Sequence, residues 1–302
     1  MCEVDLSYPA NVVIETTAHC QLRCTMCGRN TMRRKMGNMQ PDMVRNILRQ
    51  IAAWDGERIR VWYCFLGEPL LLRHRLPEFV EYGSSLGIKN NIINTNGNLL
   101  DGEMAQRLID AGLTEIYIGM DAFSEDTYRK IRIGGDFRKL MANIEQLLRI
   151  RPPHLQVTLQ MIEMEANRHE KDAFVEYWKG RRVRTFIKHE LSWIDRMGGS
   201  ALTGSRPARY PCPWIVDTMG IYWNGDMPFC VNDWDGDTVF AHINDRPMRQ
   251  SWHEMVDRYA RAHVERDWEH IPDICKPCTD WMGKEERVVH GMPMLREDAY
   301  AV

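Results

Sequence analysis

Residues 15–30 read Glu15-Thr-Thr-Ala-His-Cys20-Gln-Leu-Arg-Cys24-Thr-Met-Cys27-Gly-Arg-Asn30, which places three cysteines in a Cys-x3-Cys-x2-Cys arrangement. A strand-like run, Asn11-Val-Val-Ile-Glu-Thr-Thr17, leads into this segment. Three thiolates in one loop can bind one iron–sulfur cluster and leave one of its irons without a protein ligand. A structural zinc site normally takes four protein ligands. The segment therefore predicts a cluster with an open coordination position, at which a substrate molecule can bind and be reduced.

Strand-like and helix-like segments alternate from about residue 10 to about residue 190. The predicted strands are 12–16, 59–65, 88–94, 115–119, 156–161 and 183–188, and the predicted helices are 41–54, 76–86, 102–111, 136–149 and 170–179. Alternating β and α units predict an α/β fold with a parallel sheet and helical crossovers. We expect the functional residues at the carboxyl ends of the strands, where such sheets bind ligands.

A Gly-, Pro- and Ser-rich stretch, residues 198–213, separates this region from a segment of different character. We therefore predict two domains, residues 1–197 and residues 198–302. The predicted elements of the second are a hairpin of strands 215–222 and 226–230 with its turn at Asn224-Gly225, and a helix over 251–266 with Ser251 as N-cap.

Four further cysteines lie in this second segment: Cys212, Cys230, Cys275 and Cys278. Four thiolates can fully ligate a 4Fe–4S cluster, and the same four could hold a tetrahedral zinc ion. Spacing alone does not decide between the two metals. Either choice predicts a small domain that is held together by its metal centre.

Composition excludes several classes of function. The 302 residues include 39 basic and 42 acidic ones, and a net charge of −3 argues against nucleic acid as a bulk partner. We find no apolar run near the ~20 residues of a membrane span and no secretory signal at the start. Nine cysteines without such a signal predict metal ligands in a reducing cytoplasm rather than disulfides.

The three-cysteine segment, with its preceding strand and the following Gly28-Arg29-Asn30, resembles the radical S-adenosylmethionine (radical SAM) enzymes. In that family the open iron binds the amino and carboxylate groups of SAM, and a 5′-deoxyadenosyl radical then abstracts a substrate hydrogen. The resemblance implies a partial (β/α)6 TIM-like barrel. Cys212-Pro-Trp, Cys230 and Cys275-Lys-Pro-Cys278 resemble the twitch domain, a shortened SPASM domain of α+β type, and this favours an auxiliary cluster over zinc.

The resemblance also implies cofactors and cofactor contacts. It implies two 4Fe–4S clusters, SAM, and a flavodoxin or ferredoxin as reductant. The implied SAM contacts at the strand ends are Gly67 and Glu68 in Leu66-Gly-Glu-Pro69, Asn94 and Asn96 in Asn94-Thr-Asn-Gly97, Asp121, and Gln160. Two positions depart from the family, because Leu66 replaces a glycine and Gly119 replaces a serine. For Gly67 and Glu68 the alternative is an ordinary strand-to-helix turn, and the cysteine motif favours the cofactor contact. Each of the other contacts is equally compatible with an ordinary turn.

Three candidates for catalysis remain. Cys64 in the second strand is either a small core residue or a thiol that donates a hydrogen atom to a substrate radical. Asp195 and Arg196, with Trp193, follow the sixth strand, where one of them could accept a proton between the two clusters; the alternative is a surface loop. The acidic loop 233–237 could bind a substrate amino group or form Asx turns.

Twitch-type relatives include dehydrogenases and epimerases of aminocyclitols and aminosugars in antibiotic biosynthesis. With seven cysteines assigned to clusters, only Cys64 is left as an internal hydrogen donor. We therefore predict oxidation of a secondary alcohol on a small, polar, amino-bearing molecule. The alternatives are epimerisation through Cys64, peptide modification, and a non-enzymatic protein with two zinc sites; the open three-cysteine loop argues against the last.

Overall fold

A sheet of seven parallel strands organises the computed structural model, which describes residues 6–191, Trp193, Arg196 and residues 208–283. The strands are β1 Asn11–Ile14, β2 Arg60–Trp62, β3 Asn90–Thr95, β4 Glu115–Gly119, β5 Gln156–Glu163, β6 Arg184–His189 and β7 Thr218–Ile221. Their order is β6-β5-β4-β3-β2-β1-β7, and every neighbouring pair is parallel. The predicted α/β fold with a partial TIM-like sheet is confirmed.

Six helices connect the first six strands. They are α1 Pro41–Asp55, α2 Arg75–Ser85, α3 Gly102–Asp110, α4 Glu125–Ile131, α5 Phe137–Ile150 and α6 Lys171–Trp178. Asp101, Ser124 and Asp136 begin three of them, and each side chain accepts a hydrogen bond from the backbone three residues on. The sequence analysis does not predict α4, which is short and mostly charged.

Apolar side chains from the helices and from both faces of the strands form one large core. Val44, Ile47, Leu48 and Ile51 of α1 lie on one face of their helix, and none is exposed to solvent. Burial of one such side chain stabilises the fold by about 1.5–3 kcal/mol relative to exposure. Strands buried on both faces account for the near-continuous apolar runs in the sequence.

The C-terminal segment departs from the predicted hairpin. The turn exists, because the backbone amide of Tyr222 donates to the carbonyl of Asp226 at 2.8 Å and Gly225 has a φ of 96°. However, β7 pairs in parallel with β1, and strand β8, Asp226–Pro228, pairs with β9, Val239–His242. Without β7 that edge of β1 would have no partner, and an unpaired edge is unfavourable.

The helices of this segment are α7 Pro213–Asp217, α8 Met248–Met255 and α9 Arg261–Val264, with a π turn, Val256–Ala260, between the last two. The prediction of Ser251 as N-cap is wrong, since α8 begins three residues earlier after Pro247. The proposed domain boundary at residues 197 and 198 lies outside the described residues and stays a prediction. Within the described ranges, no helix has the length and apolarity that crossing a bilayer requires.

Candidate active site and cluster-binding regions

The loop that carries Cys20, Cys24 and Cys27 is anchored on the end of α4. The backbone amides of Arg23 and Thr25 donate to carbonyls at and just beyond that end, at 2.9 and 3.0 Å. The side-chain amide of Asn30 donates to the carbonyl of Cys24 at 2.7 Å. These hydrogen bonds fix the course of the loop.

The three thiols lie in apolar surroundings. Cys24 is buried and the other two are half-buried, next to side chains such as Leu22 and Met26. Burial raises the pKa of Cys20 to about 11 and raises that of Cys27 as well. Thiols in such a site become thiolates when a metal cluster takes up the charge, which fits the predicted cluster.

Gly67 allows the end of β2 to contact this loop. A Cβ atom at this position would lie 2.0 Å from the carbonyl oxygen of Thr17. The next amide, that of Glu68, donates to the carbonyl of His19 at 2.8 Å. Only glycine permits this approach, because both partners are backbone.

We expect Gly67→Ala to displace the cysteine loop and to lower the iron content of the reconstituted protein from about eight toward about four per chain, because only the N-terminal cluster would be lost. Iron and sulfide analysis measures this. The matched control is Gly220→Ala, whose Cβ would meet a side-chain methyl of Val231 at 3.1 Å. Equal iron loss in both variants would contradict the role given to the Gly67 contact.

Glu68 connects the end of β2 to the end of β3. Its carboxylate accepts hydrogen bonds from the Leu70 amide at 3.1 Å, the Thr95 hydroxyl at 2.7 Å and the Asn96 amide at 2.8 Å. Burial raises its pKa, while these hydrogen bonds favour the charged form. The carboxylate thus shapes the strand ends, and its role toward the SAM amino group stays a prediction.

The other predicted cofactor contacts converge at the same edge of the sheet. The side-chain amide of Asn94 donates to the side-chain oxygen Oε1 of Gln160 at 3.3 Å. Asn96 accepts from Gln21 at 3.0 Å and lies 3.9 Å from the Cys20 sulfur. The structure therefore brings Asn96 next to the cysteine loop and places Asn94 and Gln160 together at the strand ends, where ligands of such sheets bind.

Asp121 forms a buried ion pair that the sequence analysis does not anticipate. Its side chain is 1% exposed and lies 2.5 Å from a guanidinium nitrogen of Arg132, which follows α4. The other carboxylate oxygen accepts from the Ile162 amide at 2.7 Å. Although burial disfavours the charge, Asp121 raises the pKa of Arg132, which therefore stays charged.

Arg132 also explains why glycine stands at position 119. A Cβ there would lie 2.1 Å from one of its guanidinium nitrogens. The other terminal nitrogen lies 3.6 Å from the sulfur of Cys24. A permanent positive charge therefore lies beside the sulfur of Cys24.

Cys64 lies just beyond β2 and is 7% exposed. Its sulfur accepts a hydrogen bond from the Asn94 backbone amide at 3.1 Å. Burial raises the pKa of its thiol to about 12. The residue is therefore a neutral thiol at the strand ends, which is compatible with both a packing role and hydrogen donation.

Of the residues predicted after β6, Asp195 lies outside the described residues. Trp193 donates through its indole nitrogen to the carbonyl of Met26, inside the cysteine loop, at 3.1 Å. Arg196 pairs with Asp233 at 3.3 Å and with Asp237. Both residues thus contact segments next to a cluster cysteine.

The acidic loop 233–237 uses its carboxylates within the protein. Asp233 is fully buried and accepts from the backbone amides of Asp235 and Thr238 at 3.0 and 2.7 Å. Asp235 in turn accepts from the backbone amide of Arg33 at 2.6 Å. These contacts match the turn interpretation, and they bind this loop to the segment after the first three cysteines.

Trp234 of this loop lies against the cysteine loop. A Cβ on Gly28, the residue after Cys27, would meet its ring at 2.7 Å. Its ring centre is 5.7 Å from that of Trp193, in an edge-to-face arrangement. Three residues separate Cys230 from Trp234 in sequence, and the ring of Trp234 contacts Gly28, the residue next to Cys27.

Cys212, Cys230, Cys275 and Cys278 line one cavity. None of the eight cysteines in the described ranges forms a disulfide. Burial raises the pKa of Cys230 and of Cys275, and that of Cys278 to about 12, and neighbouring thiols add to each shift. Burial and mutual repulsion therefore disfavour thiolates in this cavity unless a metal centre compensates their charge. A multi-iron cluster provides that compensation.

The described residues contain no group of three His, Cys, Asp or Glu side chains placed around a single metal ion. A four-iron cluster is wider than one ion, and its thiolates stand correspondingly farther apart. The four-cysteine cavity is therefore better suited to a cluster than to a single metal ion.

Comparison with known proteins identifies both regions. The sequence profile of the radical SAM superfamily matches residues 14–170, and that of SPASM, an iron–sulfur cluster-binding domain, matches residues 212–279. The prediction of SAM and of more than one iron–sulfur cluster as cofactors is thereby confirmed.

Solved structures show the same fold. BtrN, crystallised in complex with AdoMet and 2-DOIA, has a TM-score of 0.63 and 18% identity over 90% of this chain and 93% of its own. Streptococcus suis SuiB bound to precursor peptide SuiA has a TM-score of 0.65 and 12% identity over 82% of this chain and 65% of its own. At these identities the likeness concerns the fold.

Among curated proteins, a probable GTP 3′,8-cyclase of Methanococcus maripaludis (strain C5) is 30% identical over 167 residues. The match covers 54% of this chain and 53% of that protein. The chain thus spans about half the length of the curated relatives it matches, and their activity is not transferred to it.

Proposed function

Because this chain belongs to the radical SAM superfamily, we propose that it oxidises a secondary alcohol of a small, polar, amino-bearing molecule of the aminocyclitol or aminosugar type. When bound, the reduced N-terminal cluster and SAM supply the radical that removes the hydrogen from the alcohol carbon. The remaining electron and proton must leave the substrate before it becomes a ketone. The arrangement of this chain's residues provides a destination for the electron.

The observation that carries the proposal is the position of the four-cysteine cavity. Asp233 and Trp234 lie three and four residues after Cys230, and the Trp234 ring lies against Gly28 beside Cys27. A second redox centre in this cavity would thus be one loop away from a cluster held by Cys27, on the side where Arg196 and Trp193 lie. A nearby acceptor favours loss of an electron from the substrate over return of a hydrogen atom.

Arg132 and Asp121 form a buried ion pair beside the proposed site of the N-terminal cluster. The guanidinium lies 3.6 Å from the Cys24 sulfur, and the carboxylate of Asp121 keeps that guanidinium in place. Around them, the apolar side chains of Leu22, Met26 and Ile131 exclude water from the place where a radical would form.

The substrate class is supported by likeness in fold and by chemistry. BtrN, which covers nearly the whole chain, was crystallised with AdoMet and 2-DOIA, and we propose a related type of compound here. A cytoplasmic flavodoxin or ferredoxin would supply the electron for the first cluster. Trp193, Arg196 and Asp195 remain the proposed neighbours of the substrate.

Epimerisation is the second candidate, and Cys64 favours it. It is the one cysteine in the described ranges outside the two cluster groups, and its neutral thiol lies beside Asn94 at the strand ends. A thiol there could return a hydrogen atom to the opposite face of the substrate carbon.

One assay separates the candidates. The reconstituted protein is incubated without oxygen in D₂O with reductant, SAM, and a panel of aminocyclitols, aminosugars and short peptides. Dehydrogenation gives a product two mass units lighter, with one 5′-deoxyadenosine per product. A product one unit heavier indicates epimerisation, and turnover of peptides alone overturns both proposals.

We expect Cys212→Ala to stop ketone formation almost completely, because the electron then has no acceptor, while some 5′-deoxyadenosine still forms. Cys64→Ala, in contrast, should leave ketone formation largely intact. Product and 5′-deoxyadenosine are quantified together by mass spectrometry. Loss of product in Cys64→Ala with its clusters intact would contradict the dehydrogenase and support the epimerase.

A further inference from the structure

His263 is a buried histidine without a visible partner. It belongs to α9, its side chain has no solvent exposure, and neither ring nitrogen has a hydrogen-bond partner among the described groups. A buried polar group without a partner destabilises the folded protein. Such a group calls for an explanation, often a ligand that completes the site.

The same imidazole lines the cavity of the four cysteines. Cys212, Cys230, Cys275 and Cys278 line this space, together with polar residues that include Arg209, Asn232 and Asp280. Once bound to iron, thiolates and the sulfides of a cluster are hydrogen-bond acceptors without protons. The imidazole N–H lacks an acceptor, and a cluster bound in the cavity would supply one.

The fold places His263 by means of an irregular helix. The π turn Val256–Ala260 inserts an extra residue just before α9 and so changes which face of the helix meets the cavity. Met248, Trp252 and Met255 of α8 are fully buried and fix the preceding turns. π turns of this kind are frequent at functional sites.

The surroundings keep the ring neutral and place a cationic group, Arg209, near it. Burial and the charge of Arg209 lower the pKa of His263 to about 4. A neutral imidazole has one N–H donor and one acceptor nitrogen. Arg209 donates to the carbonyl of Lys276 at 3.1 Å, and its guanidinium lies 5.7 Å from the ring centre of Trp281.

We propose that the N–H group of His263 donates a hydrogen bond to a sulfur atom of the auxiliary cluster and thereby favours the reduced form of that cluster. Hydrogen bonds to sulfur raise cluster potentials because the reduced cluster carries more negative charge. His263 is thus a tuning residue that acts through the cluster. The inference rests on the proposed function in one respect only, namely that the auxiliary cluster accepts the electron that the substrate loses.

The test is a redox titration of the auxiliary cluster, followed by electron paramagnetic resonance. The protein carries Cys24→Ala, so that the N-terminal cluster does not contribute to the signal. We expect His263→Leu to lower the ratio of reduced to oxidised cluster at a fixed potential about tenfold, which is ~59 mV for one electron. His263→Gln, which keeps an N–H donor, should recover most of this shift.

An unchanged potential in His263→Leu with a full iron content would overturn the proposal. So would equal shifts in both variants, because Gln retains the donor. If His263→Leu does not fold, the Cys24→Ala protein labelled with ¹⁵N-histidine decides: pulsed resonance should show a nitrogen coupled to the reduced auxiliary cluster, and its absence refutes the hydrogen bond. None of these readouts needs a substrate, so the result stands apart from the proposed reaction.

Discussion

Replacing Cys24 with alanine is expected to abolish 5′-deoxyadenosine formation and to halve the iron content of the reconstituted protein, from about eight to about four atoms per chain. Cys24 is the buried member of the three-cysteine group, and its carbonyl also accepts the hydrogen bond from Asn30 that shapes the loop. Two remaining thiols hold a cluster poorly, and the four-cysteine cavity does not depend on this residue. Iron analysis and chromatography of the SAM products measure both effects.

The matched control is Cys2→Ala, which removes a cysteine that neither group uses. It should keep the full iron content and the full rate of SAM cleavage. Loss of all iron in Cys24→Ala would show that the two sites load together. SAM cleavage in a variant with only four irons would overturn the assignment of the open cluster to this loop.

Replacing Arg132 with methionine is expected to lower the free energy of unfolding by about 3–5 kcal/mol, because it leaves the buried carboxylate of Asp121 without its counter-charge. Methionine keeps part of the side-chain volume, so the change is mainly one of charge. The measurement is denaturant unfolding of the metal-free protein, monitored by fluorescence and circular dichroism.

Arg129→Met is the control for this change. Arg129 lies on the adjacent turn of α4 and forms an exposed pair with Glu125 at 2.6 Å, with 66% of its own side chain accessible. Exposed pairs of this spacing contribute only about 0.3–0.5 kcal/mol. A loss at Arg132 no larger than that at Arg129 would contradict a buried ion pair. Adding Asp121→Asn to Arg132→Met should restore part of the stability but not the support for Cys24.

The parallel sheet is the part of the fold that the sequence predicts best. The predicted strand 115–119 coincides with β4, and each other predicted strand overlaps an observed one. Apolar runs with turn residues at both ends are local signals, and the chain between them has room for a helical crossover. α4 is missed because its short segment, Glu125–Ile131, carries four charged residues and only three buried ones.

The pairing of β7 with β1 is not a local signal. Asn224-Gly225 predicts a turn, and a turn between two apolar runs is typical of a hairpin. Whether Thr218–Ile221 pairs with the following strand or with a distant one depends on which sheet edge needs a partner. The edge of β1 provides that partner, about 200 residues away in sequence.

At the site, the cysteines were predictable and their polar neighbours were not. The spacing of Cys20, Cys24 and Cys27 fixes a loop, whereas Arg132 and His263 are single residues whose positions depend on how α4 and the π turn pack. The one trace of Arg132 in the sequence is Gly119, whose lack of a side chain leaves room for the guanidinium.

The contact between β7 and β1 links iron supply to the integrity of the whole sheet. β7 directly follows α7, whose N-cap is the cluster residue Cys212. A ligand that binds only the folded form stabilises it by mass action, so each auxiliary cluster inserted also secures the strand beside the radical-generating loop. In cells short of iron, we expect the exposed edge of β1 to become a site of aggregation and proteolysis. Loss of the auxiliary cluster would then lead to removal of chains before their three-cysteine loop could act.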